Sequence, residues 1–238
     1  MTTPNSDFAG RTVVVTGGTG ALGAAVVDAL LRAGATCHVP YRSKPEMQHS
    51  PHRENGRVTF VELEDLADED AVGRYYEGLK SLWASIHLAG AFAAASIYES
   101  NTALLKNQLD ANLVTAYVCS RAAAAAFRRL GGGGRIVNVA ARQALEHRLG
   151  SGSVAYTVSK AGVAALTTAL GAELAKEGVL VNAVAPSIMD TPSNRAAQPN
   201  ADFRSWPKVE EVAAMILFLA SPENAVTRGA VVPVYGGA

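Results

Sequence analysis

Apolar residues along this chain gather in short β-branched or aliphatic runs, separated by longer stretches with helical spacing. Arg11 to Thr16 is such a run, and it breaks off at the glycine-rich turn Gly17-Gly18-Thr19-Gly20-Ala21-Leu22-Gly23. Helical periodicity then extends from Ala24 to Arg32, with Gly34 as the stop signal. Further strands are predicted at Ala35 to Tyr41, Arg57 to Glu62, Ser85 to Ala89, Arg135 to Val139, Val179 to Ala185 and Ala230 to Tyr235. Helical patterns run from a cap at Asp65 to about Leu79, from Leu104 to Leu130, from Tyr156 to Glu177 with Gly178 at the end, and from Val209 to Leu219. Residues Ser43 to Asn55 are polar and proline-bearing and read as a loop. The segment 190–208 holds Pro192, Pro199 and Pro207 beside Phe203 and Trp206, too irregular for a core element and too aromatic for a linker, which predicts a lid.

Strands and helices alternate with no internal repeat and no shift in composition. The expected fold class is therefore α/β: one domain over residues 1–238, a Rossmann-type, doubly wound parallel sheet with helices on both faces. With 49% hydrophobic and 18% charged residues, the chain is set to bury a sizeable core. Lys+Arg and Asp+Glu both number 21, so no basic stripe invites nucleic acid. The longest apolar runs, such as Val212 to Ala220, are too short to span a bilayer, and Met1 to Asp7 lacks an apolar signal core. Cys37 and Cys119 sit among apolar residues and read as buried thiols in a reducing compartment, so the expected location is cytoplasmic. His49 and His52 have no Cys or acidic partner to complete a ligand set, and no metal is expected.

In such sheets ligands bind beyond the carboxyl ends of the strands. The glycine turn, Arg42, Gly90, the segment after Val139 and Pro186 all fall there. Strand, glycine turn and helix form a phosphate-binding context, because glycines admit close backbone approach and the free N–H groups of a helix start attract negative charge. At the end of the second predicted strand, an acidic residue would take a ribose 2′-hydroxyl. The chain instead has Tyr41-Arg42-Ser43-Lys44, and a guanidinium fork suits a 2′-phosphate, which favours NADP(H) over NAD(H). An exposed loop arginine is the plainer alternative. Asp65 either caps its helix or binds an adenine amino group, and both can hold together. Asn112, an amide among apolar neighbours, is either satisfied by local backbone or kept to organise water. Tyr156 and Lys160, four residues apart on a helix, share one face. A lysine cation beside a phenol favours the phenolate, so the pair suits proton transfer near neutrality.

Taken together, Thr16-Gly17 to Gly23, Asp65-Leu66, Ala89-Gly90, Asn112, Tyr156 to Lys160, Pro186 to Thr191 and Tyr235-Gly236-Gly237 resemble the short-chain dehydrogenase/reductase family over essentially the whole chain. The resemblance implies a nicotinamide cofactor held by Gly17, Thr19, Gly20, Ala21, Leu22, Tyr41, Arg42, Ser43, Asp65, Leu66, Ala89, Gly90 and Pro186, with Ile188 and Thr191 at the carboxamide. It implies Tyr156 as catalytic acid or base, Lys160 on the nicotinamide ribose, and Asn112 helping to hold a water. It further implies a small-molecule substrate and a homodimer or homotetramer through the helices carrying Asn112 and Tyr156, whose Ala122 to Ala126 and Ala161 to Ala169 faces permit close contact or internal packing.

Three departures stand out. Ala21 replaces the usual middle glycine, His87-Leu88 replaces a pair of asparagines, and Ala141 falls where the family has its catalytic serine. Ser151 or Ser153 either substitutes for that serine or caps the Tyr156 helix. Ala140 to Leu145, Asp190-Thr191-Pro192, Asn194-Arg195 and Pro199 to Trp206 resemble the dihydropteridine reductase branch, which also lacks the serine. That similarity implies hydride transfer to a small carbonyl or imine, including a quinonoid pterin-like ring. Arg142, Phe203 and Trp206 are then the candidate substrate contacts. Against it, the branch usually has Asp at the end of the second strand and uses NADH. The alternative is a dinucleotide-binding sensor or scaffold with weakened turnover.

Overall fold

The structure, a computed structural model, describes residues 7–237. Seven parallel strands form a single sheet in the order β3-β2-β1-β4-β5-β6-β7: β1 (Thr12–Thr16), β2 (Thr36–Tyr41), β3 (Val58–Glu62), β4 (Ala84–His87), β5 (Gly134–Val139), β6 (Val179–Pro186) and β7 (Val231–Val234). The order reverses between β1 and β4, so the crossovers leave a crevice at their carboxyl ends.

Both faces of the sheet are covered, which is why its strands read as unbroken apolar runs. Alternate residues point to opposite faces: Val13, Val15, Ile86, Val137 and Val184 pack with α1 (Ala21–Arg32) and α8 (Val209–Ala220). Val14, Ile136 and Val181 face the other way, onto α3 (Glu69–Glu77) and α5 (Thr115–Arg129). Ala140, Ala185 and Val231 meet Val163 of α6 (Val154–Glu173), the helix that carries Tyr156 and Lys160. Cys37 and Cys119 are buried free thiols, and burial pushes both up to about 12.

Four expectations are corrected. The 43–55 segment is not all loop: Lys44–Gln48 forms α2, because Pro45 pre-sets helical geometry in its first turn and Glu46 lies at its positive end. The cap of α3 is Asp68, whose carboxylate accepts from Ala71 N at 3.0 Å, while Asp65 closes the preceding turn by accepting from Ala67 N at 2.8 Å. The 104–130 stretch is two helices, α4 (Thr102–Gln108) and α5, joined by a π-helical turn over Leu109–Val114. The 190–208 segment contains α7 (Pro192–Ala197), capped by the Thr191 hydroxyl on Asn194 N, and is closed at its base by a bridge between Asp190 and Lys208. Among the described residues, no helix is long and apolar enough to cross a membrane.

Candidate active site

A groove of about 810 Å³ opens along the carboxyl ends of β1, β2 and β4. Gly17, Thr19, Gly20, Tyr41, Arg42, Asp65, Leu66, Ala89 and Gly90 line it, so nine of the expected cofactor contacts converge in one place. Gly17 takes φ +68°, and a Cβ there would stand 2.7 Å from Ala89 N, so a side chain is excluded both by conformation and by the β4 end. Gly20 caps α1 with no side-chain bond, and the first turn has no acidic residue. The N–H groups of Ala21 and Leu22 are thus left as donors, and Leu22 contributes only backbone because its side chain is buried in the core. A helix start without an internal acceptor, facing a groove floored by glycine, fits a pyrophosphate. The substitution of Ala21 is accommodated because its side chain is exposed.

Arg42 is largely exposed at the groove edge, and its guanidinium pairs with Glu46 of α2 at 3.1 Å. The second Glu46 oxygen accepts from the main-chain N–H of Arg42, also at 3.1 Å. Ser43, half-buried, begins α2 without donating or accepting a cap bond.

Lys160, Asn112 and Gly90 come together at the end of the groove, with Tyr156 one helical turn before Lys160 on α6. Lys160 is buried and donates to Val139 O at 2.8 Å. Asn112 lies in the π-helical turn, a register insertion that recurs at functional sites because it breaks the regular hydrogen-bond ladder. Its Oδ1 accepts from Ala91 N at 3.0 Å, and its Nδ2 donates to Ala91 O at 2.9 Å and to Ser159 Oγ at 3.1 Å. Both amide protons are therefore committed, one to the Ala91 backbone 21 residues away in sequence and one to the Ser159 hydroxyl 47 residues away. The side chain clamps the Gly90-Ala91 segment and has no proton left for a water. Gly90 has to be glycine, since a Cβ would stand 2.6 Å from Asn112 Oδ1 and 3.4 Å from Lys160 Nζ.

The expected lowering of the tyrosine by the lysine is absent in this arrangement. Burial pushes Tyr156 up to about 12 and Lys160 down to about 8, and the Lys160 ammonium is turned to the β5 carbonyl. Tyr156 therefore holds its proton at neutral pH. Phe92, itself exposed, packs edge-on against the Tyr156 ring at 4.9 Å between centroids and accounts for part of its cover.

Ala141 is buried in the position expected for the serine, next to buried Ala140. Of the two proposed substitutes, Ser153 is buried with its Oγ donating to Gly150 O at 3.3 Å, and Ser151 is exposed. Ser153 occupies the cap position of α6 but makes no side-chain cap bond. Arg142 forms a bidentate pair with Glu146 at 3.1 and 3.2 Å and lies 4.6 Å from the Tyr235 ring centroid. Pro186 is buried at the end of β6, Ile188 is exposed, and the Thr191 hydroxyl, used as the α7 cap, keeps its proton. Phe203 meets the Trp206 ring at 5.0 Å between centroids, tilted by 55°, and lies under Arg195 at 4.9 Å. Trp206 is buried and anchors the base of the segment, so of the two aromatics only Phe203 retains exposed surface.

Sequence reasoning missed a polar chain that crosses the interior. Tyr76 hydroxyl, Ser85 Oγ and His87 Nε2 are linked at 2.7 and 2.8 Å, and His87 Nδ1 meets Asn138 Oδ1 at 2.8 Å. Asn138 Nδ2 then donates to Thr167 Oγ1 at 3.0 Å. Burial pushes His87 down to about 4, so the ring is neutral and a single tautomer satisfies the chain. The unusual His87 was the available signal, since an imidazole in a central strand needs partners on both nitrogens. Glu46 and Phe92 were also missed. Glu46 was hidden by the reading of its segment as a loop, although its i, i+4 spacing from Arg42 was visible. No metal-binding group of three or more His, Cys, Asp or Glu occurs among the described residues.

The short chain dehydrogenase family profile matches residues 11–202. The chain is 32% identical to galactitol 2-dehydrogenase of Rhizobium johnstonii, over 96% of this chain and 95% of that protein. It is 27% identical to a cyclic-di-GMP-binding biofilm dispersal mediator protein of Escherichia coli, over 96% and 97% of the two chains. Among solved structures, a candidate NAD(P)-dependent gluconate 5-dehydrogenase of Beutenbergia cavernae, with NADP bound at low occupancy, superposes with a TM-score of 0.88 at 30% identity over 98% of each chain. Glycine cradle, clamped Asn112 and the Tyr156–Lys160 helix turn thus lie in a chain that belongs to the short-chain dehydrogenase family and is an NAD(P)-dependent oxidoreductase.

Proposed function

We propose that this protein is an NADP(H)-dependent reductase of a small carbonyl or conjugated C=N substrate, with Tyr156 as the proton donor. The observation that carries this reading is the placement of Tyr156: half-buried against Phe92, pushed up to about 12 by burial, and one helical turn before Lys160, which reaches Gly90 at the end of a groove whose shape and free N–H donors fit a dinucleotide. Bound nicotinamide supplies the hydride. Tyr156 delivers the proton to the oxygen or nitrogen of the reduced substrate, as the group at about 12 holds a proton to give. Lys160 keeps two ammonium protons beyond the one used on Val139 O, and these are available to ribose hydroxyls and to recharge the phenol. Asn112 holds Gly90-Ala91 so that the β4 end stays open to the cofactor.

Arg42, with no acid at the end of β2, favours a 2′-phosphate, and the NADP in the Beutenbergia cavernae structure supports this. Ala141 removes one donor to the substrate oxygen. The loss costs roughly 10²–10³ in rate on an unactivated carbonyl, so the site favours substrates whose own conjugation draws in the hydride. A quinonoid pterin is one such ring, and no relative or structure reported above supports a pterin specifically. The 190–208 segment is proposed as the lid, with half-buried Phe203 its contact and Trp206 its anchor. Outward-facing Tyr117, Val154 and Val158 on α5 and α6 support assembly as a homodimer or homotetramer.

The test is NADPH oxidation with a panel of ketones, aldehydes and conjugated imines. Turnover is expected to fall roughly 10²–10⁴-fold in Tyr156→Phe with cofactor affinity retained. A second reading, a dinucleotide-binding sensor, draws on Ala141 and on the naming of the Escherichia coli relative for ligand binding. Cofactor binding with no turnover on any substrate, in wild type and Tyr156→Phe alike, would establish it.

A further inference from the structure

We infer that Glu46 is a cofactor-discriminating residue: it supplies from α2 the carboxylate that the end of β2 lacks, and it holds Arg42 as a competitor for the 2′-substituent. The inference rests on the NADP(H) reading of Arg42 and sets how strong that preference is. Three observations carry it. Glu46 lines the same groove as Thr19, Gly20, Tyr41, Arg42 and Asp65, so it faces that groove and not bulk solvent alone. One carboxylate oxygen is 3.1 Å from the Arg42 guanidinium. The other is fixed at 3.1 Å by the Arg42 main-chain N–H, an anchor that persists when the guanidinium moves away. Pro45 in the first turn of α2 fixes the backbone that sets this reach.

The two sides of the pair respond oppositely to the two cofactors. Arg42 is 76% exposed and Glu46 32%, and an ion pair this open is weak and exchanges readily. Towards a 2′-phosphate, Arg42 can leave the pair and form its fork, but Glu46 stays on the backbone N–H as a like charge beside the phosphate. Towards a 2′-hydroxyl, Glu46 is an acceptor already in place. The groove also contains Glu64 and Asp65, but Asp65 accepts from Ala67 N and Arg42 contacts neither. Wild-type protein is therefore a user of both cofactors, with NADPH and NADH affinities separated by no more than roughly tenfold.

Titration of the purified full-length protein with NADPH and with NADH, followed by calorimetry or nicotinamide fluorescence, tests this without turnover. Glu46→Gln keeps the size of the side chain and removes its charge. It is expected to tighten NADPH roughly tenfold and to weaken NADH, whereas Arg42→Gln weakens NADPH and spares NADH. Glu64→Gln removes an equal charge from the same groove and is expected to leave the NADPH:NADH ratio alone. An unchanged ratio in Glu46→Gln, or an equal change in Glu64→Gln, overturns the role given to Glu46. If Arg42→Gln leaves NADPH affinity untouched, the NADP(H) reading fails instead, and the two failures are told apart by that one variant.

Discussion

Gly90→Ala probes the coupling between the cofactor groove and the proton-transfer residues. A single methyl at residue 90 would stand 2.6 Å from Asn112 Oδ1, closer than packed atoms tolerate, and 3.4 Å from Lys160 Nζ. Asn112 is 1% exposed and cannot swing into solvent, so the amide must give up its place. Doing so breaks the bonds to Ala91 N, Ala91 O and Ser159 Oγ. At about 1 kcal/mol net for each hydrogen bond, the expected loss is about 3 kcal/mol. For a chain of this size that lowers the melting temperature by roughly 6–12 °C. Turnover should fall with it, since the same displacement loosens the Gly90-Ala91 segment and crowds the Lys160 ammonium. Thermal unfolding of Gly90→Ala, Asn112→Ala and the double variant isolates the cause. If the clash with the amide is the whole effect, the double variant is no less stable than Asn112→Ala alone, a coupling of about 2 kcal/mol or more. Additive losses, or a Gly90→Ala protein that melts within a degree of wild type, would refute the clamp.

Three further outcomes are expected. Lys160 is depressed to about 8 from 10.5, so below pH 8 its charge is buried at full cost, and the cost disappears as pH rises from about 8 to 10.5. The stability advantage of Lys160→Met over wild type should therefore shrink across that window by about 3 kcal/mol, measured by urea unfolding; a pH-independent difference would contradict it. His87, held neutral and lowered to about 4, works in the opposite pH range: stability is full above about 6.5 and is lost as pH falls towards 4, while the unfolded chain takes up the proton. His87→Gln should show a flatter acid limb, and an identical acid limb in both proteins would argue against the neutral ring. Ala141→Ser, at an extended backbone position that serine adopts without strain, should raise turnover of simple ketones up to roughly 10²–10³-fold and change conjugated imines far less. Equal gains on both would undo the substrate argument.

The parts of this fold legible in the sequence are those set by local rules. Val13, Val14 and Val15 marked β1 because a strand covered on both faces needs no polar alternation, and Gly17, Gly18 and Gly23 marked the cradle because a Cβ at any of them would clash. Tyr156 and Lys160 were readable from spacing within one helix. What stayed hidden depends on partners distant in sequence. The alanine-rich 104–130 stretch gives one continuous helical pattern, and nothing local demands the π turn; it exists where Asn112 must reach Ala91 across 21 residues. The Lys160 orientation is set by Val139 O, likewise 21 residues back. The Asp65 cap lost to Asp68 because both aspartates fit a helix start, and the choice rests on which carboxylate meets a free N–H once the chain has turned.

That division bears on how the site works without its serine. Local signals mark Ala141 as a missing donor, and on their own they suggest a damaged enzyme. The long-range contacts are otherwise intact: Asn112 is fully bonded, Lys160 is seated on β5, and Tyr156 is covered by Phe92 and holds its proton. Conformational order in those groups has been retained although each buried polar atom costs stability unless it is used or satisfied. A scaffold that only bound a dinucleotide would need the groove and Arg42, and it would gain nothing from a buried lysine pushed down to about 8 beside a protonated phenol. That expensive pair, present without the serine, is what the proposed reductase needs if its substrate supplies its own electron demand.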